Sequence, residues 1–154
     1  PPSNHDQSSA ASDVYKRQFQ GDILFALARP DDAAMAYERA LSLRPDSALI
    51  QINLGRALIA SGSTANLQRA VAALEAAHDS EAKWAFLHRQ YGIALGKSGR
   101  IAEADLALAN EAILLNDGPR AAQLARRVMA VDGLDPVLHR RASDIVFRYS
   151  TKQE

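Results

Sequence analysis

The chain has 154 residues, with 18 Lys+Arg against 18 Asp+Glu, no Cys and 6% aromatic residues. That length suits one domain with a real core, and zero net charge supplies no electrostatic pull toward nucleic acid. Disulfides are excluded, and the longest apolar runs, such as Ile23 to Ala28, are far too short to span a bilayer.

The first residues stand apart. Ser8 to Gln18 reads SSAASDVYKRQ, which matches residue for residue the translation of a widely used sequencing-library transposase adapter. Residues 1–18 are therefore expected to be a non-native tail without function, and residues 19–154 the domain itself. The natural protein is expected to continue upstream of Phe19. The tail can still be helical, because Val14, Tyr15 and Phe19 are spaced to extend the segment that follows.

Helices are predicted over 19–28, 31–43, 47–61, 67–78, 82–98, 101–115, 119–131 and 136–149. The breaks between them carry Gly, Pro, Asp, Asn or Ser, as in Arg44-Pro45, Ser98-Gly99 and Asn116-Asp117-Gly118-Pro119. Asp46-Ser47 is placed to cap the third helix. No alternating strand pattern competes.

These helices repeat. Gly21, Gly55 and Gly92 are separated by 34 and 37 residues, and so are Ala28, Gly62 and Gly99; Ala33, Ala70 and Ala104 are separated by 37 and 34. The three series agree if three extra residues lie between Gly62 and Ala70, where a polar stretch suits a longer loop. Within the second helix of each pair, a small residue is followed by a large one four later and a small one three after that: Ala33, Tyr37, Ala40, then Ala70, Leu74, Ala77. Those spacings keep one helical face, on which small residues admit a neighbouring helix. The third unit departs, with Glu111 in place of the last small residue. Half a repeat beyond Ala104, Ala121, Ala125 and Val128 restart the pattern, so the helix over 101–115 is expected to serve two successive pairs.

The period and these residues resemble the tetratricopeptide repeat, from about Gly21 to Glu111. The resemblance implies an all-α, right-handed superhelical stack of antiparallel helix pairs that acts by binding protein. Gln51 and His88 stand where the family usually has Trp. In that family, groove residues fall beside and just after the Leu-Gly pair. This carries over to Asn53 and Arg56 in one unit and to Arg89 and Lys97 in the next, with Asp22 and Phe25 as counterparts in the first. Arg and Lys there suit a carboxylate or the carbonyls of an extended peptide.

A closer resemblance covers most of the chain after Phe19. Tyr91-Gly92, ADLALANEA at Ala104 to Ala112, Asn116-Asp117-Gly118, LARR at Leu124 to Arg127 and RASDI at Arg141 to Ile145 look like the C-terminal tail of BepA-type periplasmic zinc metalloproteases. The resemblance implies a repeat domain attached to a zinc protease that acts in outer-membrane protein quality control. Its expected partners are outer-membrane proteins or their assembly machinery, and its expected location is the periplasm. The protease's zinc motif, H-E-x-x-H on a helix, has no match around His5, His78, His88 or His139. No catalytic, cofactor or metal residue is therefore assigned here, and zinc is expected only in an upstream catalytic domain. The alternative is a stand-alone tetratricopeptide adaptor for an extended peptide.

His88 and His139 are expected to lie partly exposed on helix faces. Arg126-Arg127 and Arg140-Arg141 fit solvated helix faces, the commoner reading, or an anionic partner.

Overall fold

The computed structural model describes residues 4–150. It contains α1 (Asn4–Ala26), α2 (Pro30–Leu43), α3 (Ala48–Ser61), α4 (Thr64–Glu81), α5 (Ala85–Lys97), α6 (Ile101–Leu114), α7 (Gly118–Met129) and α8 (Pro136–Ser150). Every regular element among the described residues is helical. The chain folds as a tetratricopeptide-like series of successive antiparallel helix pairs, and divides into two compact units, the boundary along the chain falling between Ser80 and Glu81. The first unit holds α1 to α4 and the second α5 to α8.

The repeat explains the packing. Ala33, Tyr37, Ala40, Ala70, Leu74 and Ala77 are all buried. The glycine of each first helix lies under the large residue of its partner helix. A Cβ on Gly21 would sit 2.6 Å from the Tyr37 ring, one on Gly55 2.6 Å from Leu74 Cγ, and one on Gly92 2.8 Å from Leu108 Cγ. In a close-packed interior those distances leave no room for a methyl group. The matching turn position also keeps one conformation in all three repeats. Ala28, Gly62 and Gly99 have φ of 55°, 77° and 80°, the left-handed geometry that ends many helices.

Three local details differ from the sequence expectations. The extra residues after Gly62 do not make a longer loop. α4 starts at Thr64, with the Ser63 hydroxyl accepting from the Asn66 amide at 3.2 Å, so they add a helical turn. Ser47 occupies the cap position of α3 without a side-chain cap bond; instead the Gln51 side chain donates back to the Pro45 carbonyl at 2.9 Å. His88 is 3% exposed rather than partly exposed, and its Nε2 donates to the Ala82 carbonyl at 2.7 Å. Gln51 and His88 are 37 residues apart, and each ties the first turn of its helix to a carbonyl six residues earlier. The position is a polar staple, which a pattern of apolar spacing does not reveal.

In the second unit α6 packs on α5, α7 and α8, as the half-repeat phase change predicts. Leu106, Ala125, Val128 and Ala142 form its apolar centre, with Leu138, Ile145 and Val146 against it. In the first unit, α1 runs unbroken from Asn4 through the 18/19 boundary, and Val14 is buried.

Candidate binding surface

In the first unit the surface is built from α1 and α3. The spacing Leu54, Leu58 turns the apolar face of α3 inward, and both leucines are buried. Asn53 and Arg56, one turn apart, are left half-buried at the edge of that face. The Arg56 guanidinium lies over the Phe25 ring, 4.8 Å from its centroid. An aromatic face attracts the guanidinium through its ring quadrupole and orients the planar fork. Asp22, one turn before Phe25, accepts a hydrogen bond from the Tyr37 hydroxyl at 2.7 Å. Burial, then the Asp22 carboxylate, pushes the Tyr37 phenol well above its ordinary range, so it stays a neutral donor. The fold thus brings Asp22, Phe25 and Arg56 together, with Asn53 beside them on α3.

In the second unit, Arg89 and Lys97 are both exposed on α5. Eight residues separate them, roughly 12 Å along the helix axis. Lys97 sits in the last turn, where its charge suits the helix dipole. Arg89 is not simply a surface cation. Its Nε donates to Glu111 Oε1 at 2.5 Å, and Glu111 is 1% exposed. The other carboxylate oxygen, Oε2, lies 3.4 Å from an Arg120 nitrogen at the start of α7. The sequence reading missed Arg120 altogether. The signal was Glu111, a carboxylate at a position that the repeat fills with a small residue, and hence one requiring a counter-ion.

The paired arginines of the C-terminal helices separate in the same way. Arg127 Nε bonds Asp105 Oδ2 at 3.1 Å, and Arg126 donates to the Ser150 hydroxyl at 2.6 Å. Burial raises the Asp105 carboxyl above the usual carboxylate range, and Arg127 only partly opposes it. Arg140 borders a broad open depression of about 690 Å³ between the α7–α8 turn and α8, together with His139, Asp132 and Asp144. Asp132 of the turn and Asp144 of α8 balance the cations there.

Among the described residues, no group of three or more His, Asp or Glu is placed to hold a metal ion. Among those residues, too, no helix is long and apolar enough to cross a membrane. Compared with protein-family models and with curated protein sequences, the chain matches none.

Proposed function

We propose that this chain is a protein-binding repeat scaffold, the interaction region of a BepA-type periplasmic zinc metalloprotease that handles outer-membrane proteins. The observation that carries the binding reading is the Arg56 guanidinium held over Phe25 beside Asn53. It is a cation and an amide, presented one turn apart on a first helix, with an aromatic face between α1 and α3. Asn53 offers both a donor and an acceptor to a peptide backbone, and Arg56 offers planar donors to a carbonyl or carboxylate. On α5, Arg89 and Lys97 supply the equivalent cationic face of the second unit. Outer-membrane proteins, or the machinery that assembles them, are the proposed source of the bound segments.

The protease assignment rests on the sequence resemblance. Some of the residues that carry it do structural work here. Asn116 takes a left-handed φ of 59°, Asp117 caps α7 through the Arg120 amide at 3.1 Å, and Gly118 lies against the Tyr149 ring. In this reading the zinc site belongs to a preceding catalytic domain, and the chain contributes client binding. Sequencing the native gene upstream of the Phe19 codon tests the assignment. An H-E-x-x-H helix there supports the protease. An open reading frame that starts close to Phe19 makes the chain a stand-alone adaptor.

A further inference from the structure

We propose that Arg89 and Arg120, held together by Glu111, form a carboxylate-binding site on the second unit that selects acidic segments of the bound peptide. The inference rests on the peptide-binding reading above and adds a residue and a chemistry to it.

Three helices build the site. Arg89 comes from α5, Glu111 from α6 and Arg120 from the first turn of α7. Glu111 is almost wholly buried, and a buried carboxyl group is costly unless polar or cationic partners face it. One arginine satisfies that need, and two are present. The two guanidiniums address different oxygens of one carboxylate, Oε1 at 2.5 Å and Oε2 at 3.4 Å. They are therefore neighbours despite their like charge. Within this triad, two positive charges against one negative leave a surplus of one; the neighbouring Asp117 carboxylate accepts from the Arg120 backbone amide rather than from its guanidinium.

That surplus faces solvent. The Arg89 side chain is 52% exposed and that of Arg120 is 42% exposed. Arg89 spends its Nε on Glu111, and Arg120 spends one Nη. A guanidinium carries five N–H donors in a planar fork, so each arginine keeps donors beyond those two contacts. The buried carboxylate holds both forks in place before a ligand arrives, which lowers the ordering cost of binding. A carboxylate settling between them takes two charge-assisted contacts and neutralises the surplus charge. Glu111 is a positioning residue in this arrangement, since the ligand meets only the arginines.

The test is an NMR titration of the full chain, following the Arg Nε–H signals and the backbone amides. One probe is an end-blocked eight-residue peptide of alternating Ala and Glu; the other is its Ala and Gln counterpart. The Glu peptide is expected to shift the Arg89 and Arg120 signals saturably and to bind roughly tenfold more tightly than the Gln peptide. Arg120→Gln leaves the 2.5 Å Arg89–Glu111 bond intact and is expected to erase that preference. Arg120→Lys, which keeps the charge without the fork, is expected to restore only part of it. Arg140→Gln removes the same charge from α8 and is expected to change nothing. If the two peptides bind α5 equally, or if Arg140→Gln lowers the preference as much as Arg120→Gln, acid selection is overturned while peptide binding stands. If neither peptide shifts any signal on α3 or α5, both readings are overturned.

Discussion

Arg89 on α5 donates to the buried carboxylate of Glu111 on α6 at 2.5 Å, so a residue expected to face only a ligand also neutralises the core of its own unit. Reversing its charge consequently has two effects. Arg89→Glu places a second carboxylate beside a buried one, and only the 3.4 Å Arg120 contact remains to oppose it. The expected loss is about 2–4 kcal/mol of stability, against about 1 kcal/mol for Arg89→Gln. Denaturant melts of the two variants check this. Equal midpoints would show that Glu111 does not depend on Arg89.

The backbone repeat makes opposite predictions at two small residues. Ala28 holds the left-handed conformation that glycine holds at the matching turns, Gly62 and Gly99. Ala28→Gly is expected to stabilise the first unit by about 1 kcal/mol, because the Cβ penalty of that conformation disappears. Gly55→Ala has the reverse sign. Its new Cβ meets Leu74 Cγ at 2.6 Å, and the overpacking, about 1–3 kcal/mol, outweighs the helix-propensity gain of about 1 kcal/mol. Thermal unfolding of both variants decides the register: a stabilised Gly55→Ala chain would mean that α3 does not pack on α4 at this point.

Much of this was legible because it is periodic. The eight helices, the Gly21, Gly55 and Gly92 contacts and the left-handed turns follow from spacings of 34 and 37 residues and from small residues at fixed phases. The polar core was not legible. Glu111 and Asp105 are buried on α6, but their partners lie on other helices, Arg89 on α5 and Arg120 and Arg127 on α7. Sequence spacing shows which face a residue occupies, and it does not pair residues across helices. The same limit applied to the proposed binding surface. Asn53 and Arg56 were placed by the Leu-Gly pair, whereas the Phe25 ring under Arg56 depends on how α1 meets α3.

Asp105 carries a pH signature. Burial raises its folded-state carboxyl above the unfolded value, so the folded chain binds its proton more readily. This group's contribution is then most favourable below the unfolded value, near 3.9, and is lost as pH rises through the raised folded value. Asp105→Asn has no such titration. The stability of the wild type relative to Asp105→Asn is expected to fall as pH is raised from about 4 toward neutrality. Parallel stability curves across that range would contradict a raised carboxyl.

The tail residues are predicted to affect stability and not binding. Val14 is buried, and α1 continues through the proposed adapter boundary. A chain beginning at Phe19 keeps only the last two turns of α1 and exposes the surface that Val14 covered. Loss of that valine's burial costs roughly 1.5–3 kcal/mol. Circular dichroism melts should show a lower midpoint, and peptide affinity measured below it should be unchanged. Lost affinity in the folded, shortened chain would give residues 1–18 a role.

If the first-helix faces bind extended protein segments, as proposed, Arg56 is the residue whose reversal exposes it. Arg56 is stacked on Phe25 in the first unit, so its reversal leaves the Glu111 and Asp105 pairs of the second unit untouched. The measurement is a calorimetric titration of outer-membrane protein segments into the wild type and Arg56→Glu, with helicity checked for both. Arg56→Glu is expected to bind with at least a tenfold weaker Kd, about 1.4 kcal/mol, and the affinity of the wild type for acidic segments is expected to decline as salt rises. Equal affinity in a fully helical Arg56→Glu chain would contradict it and move the binding surface away from α1 and α3.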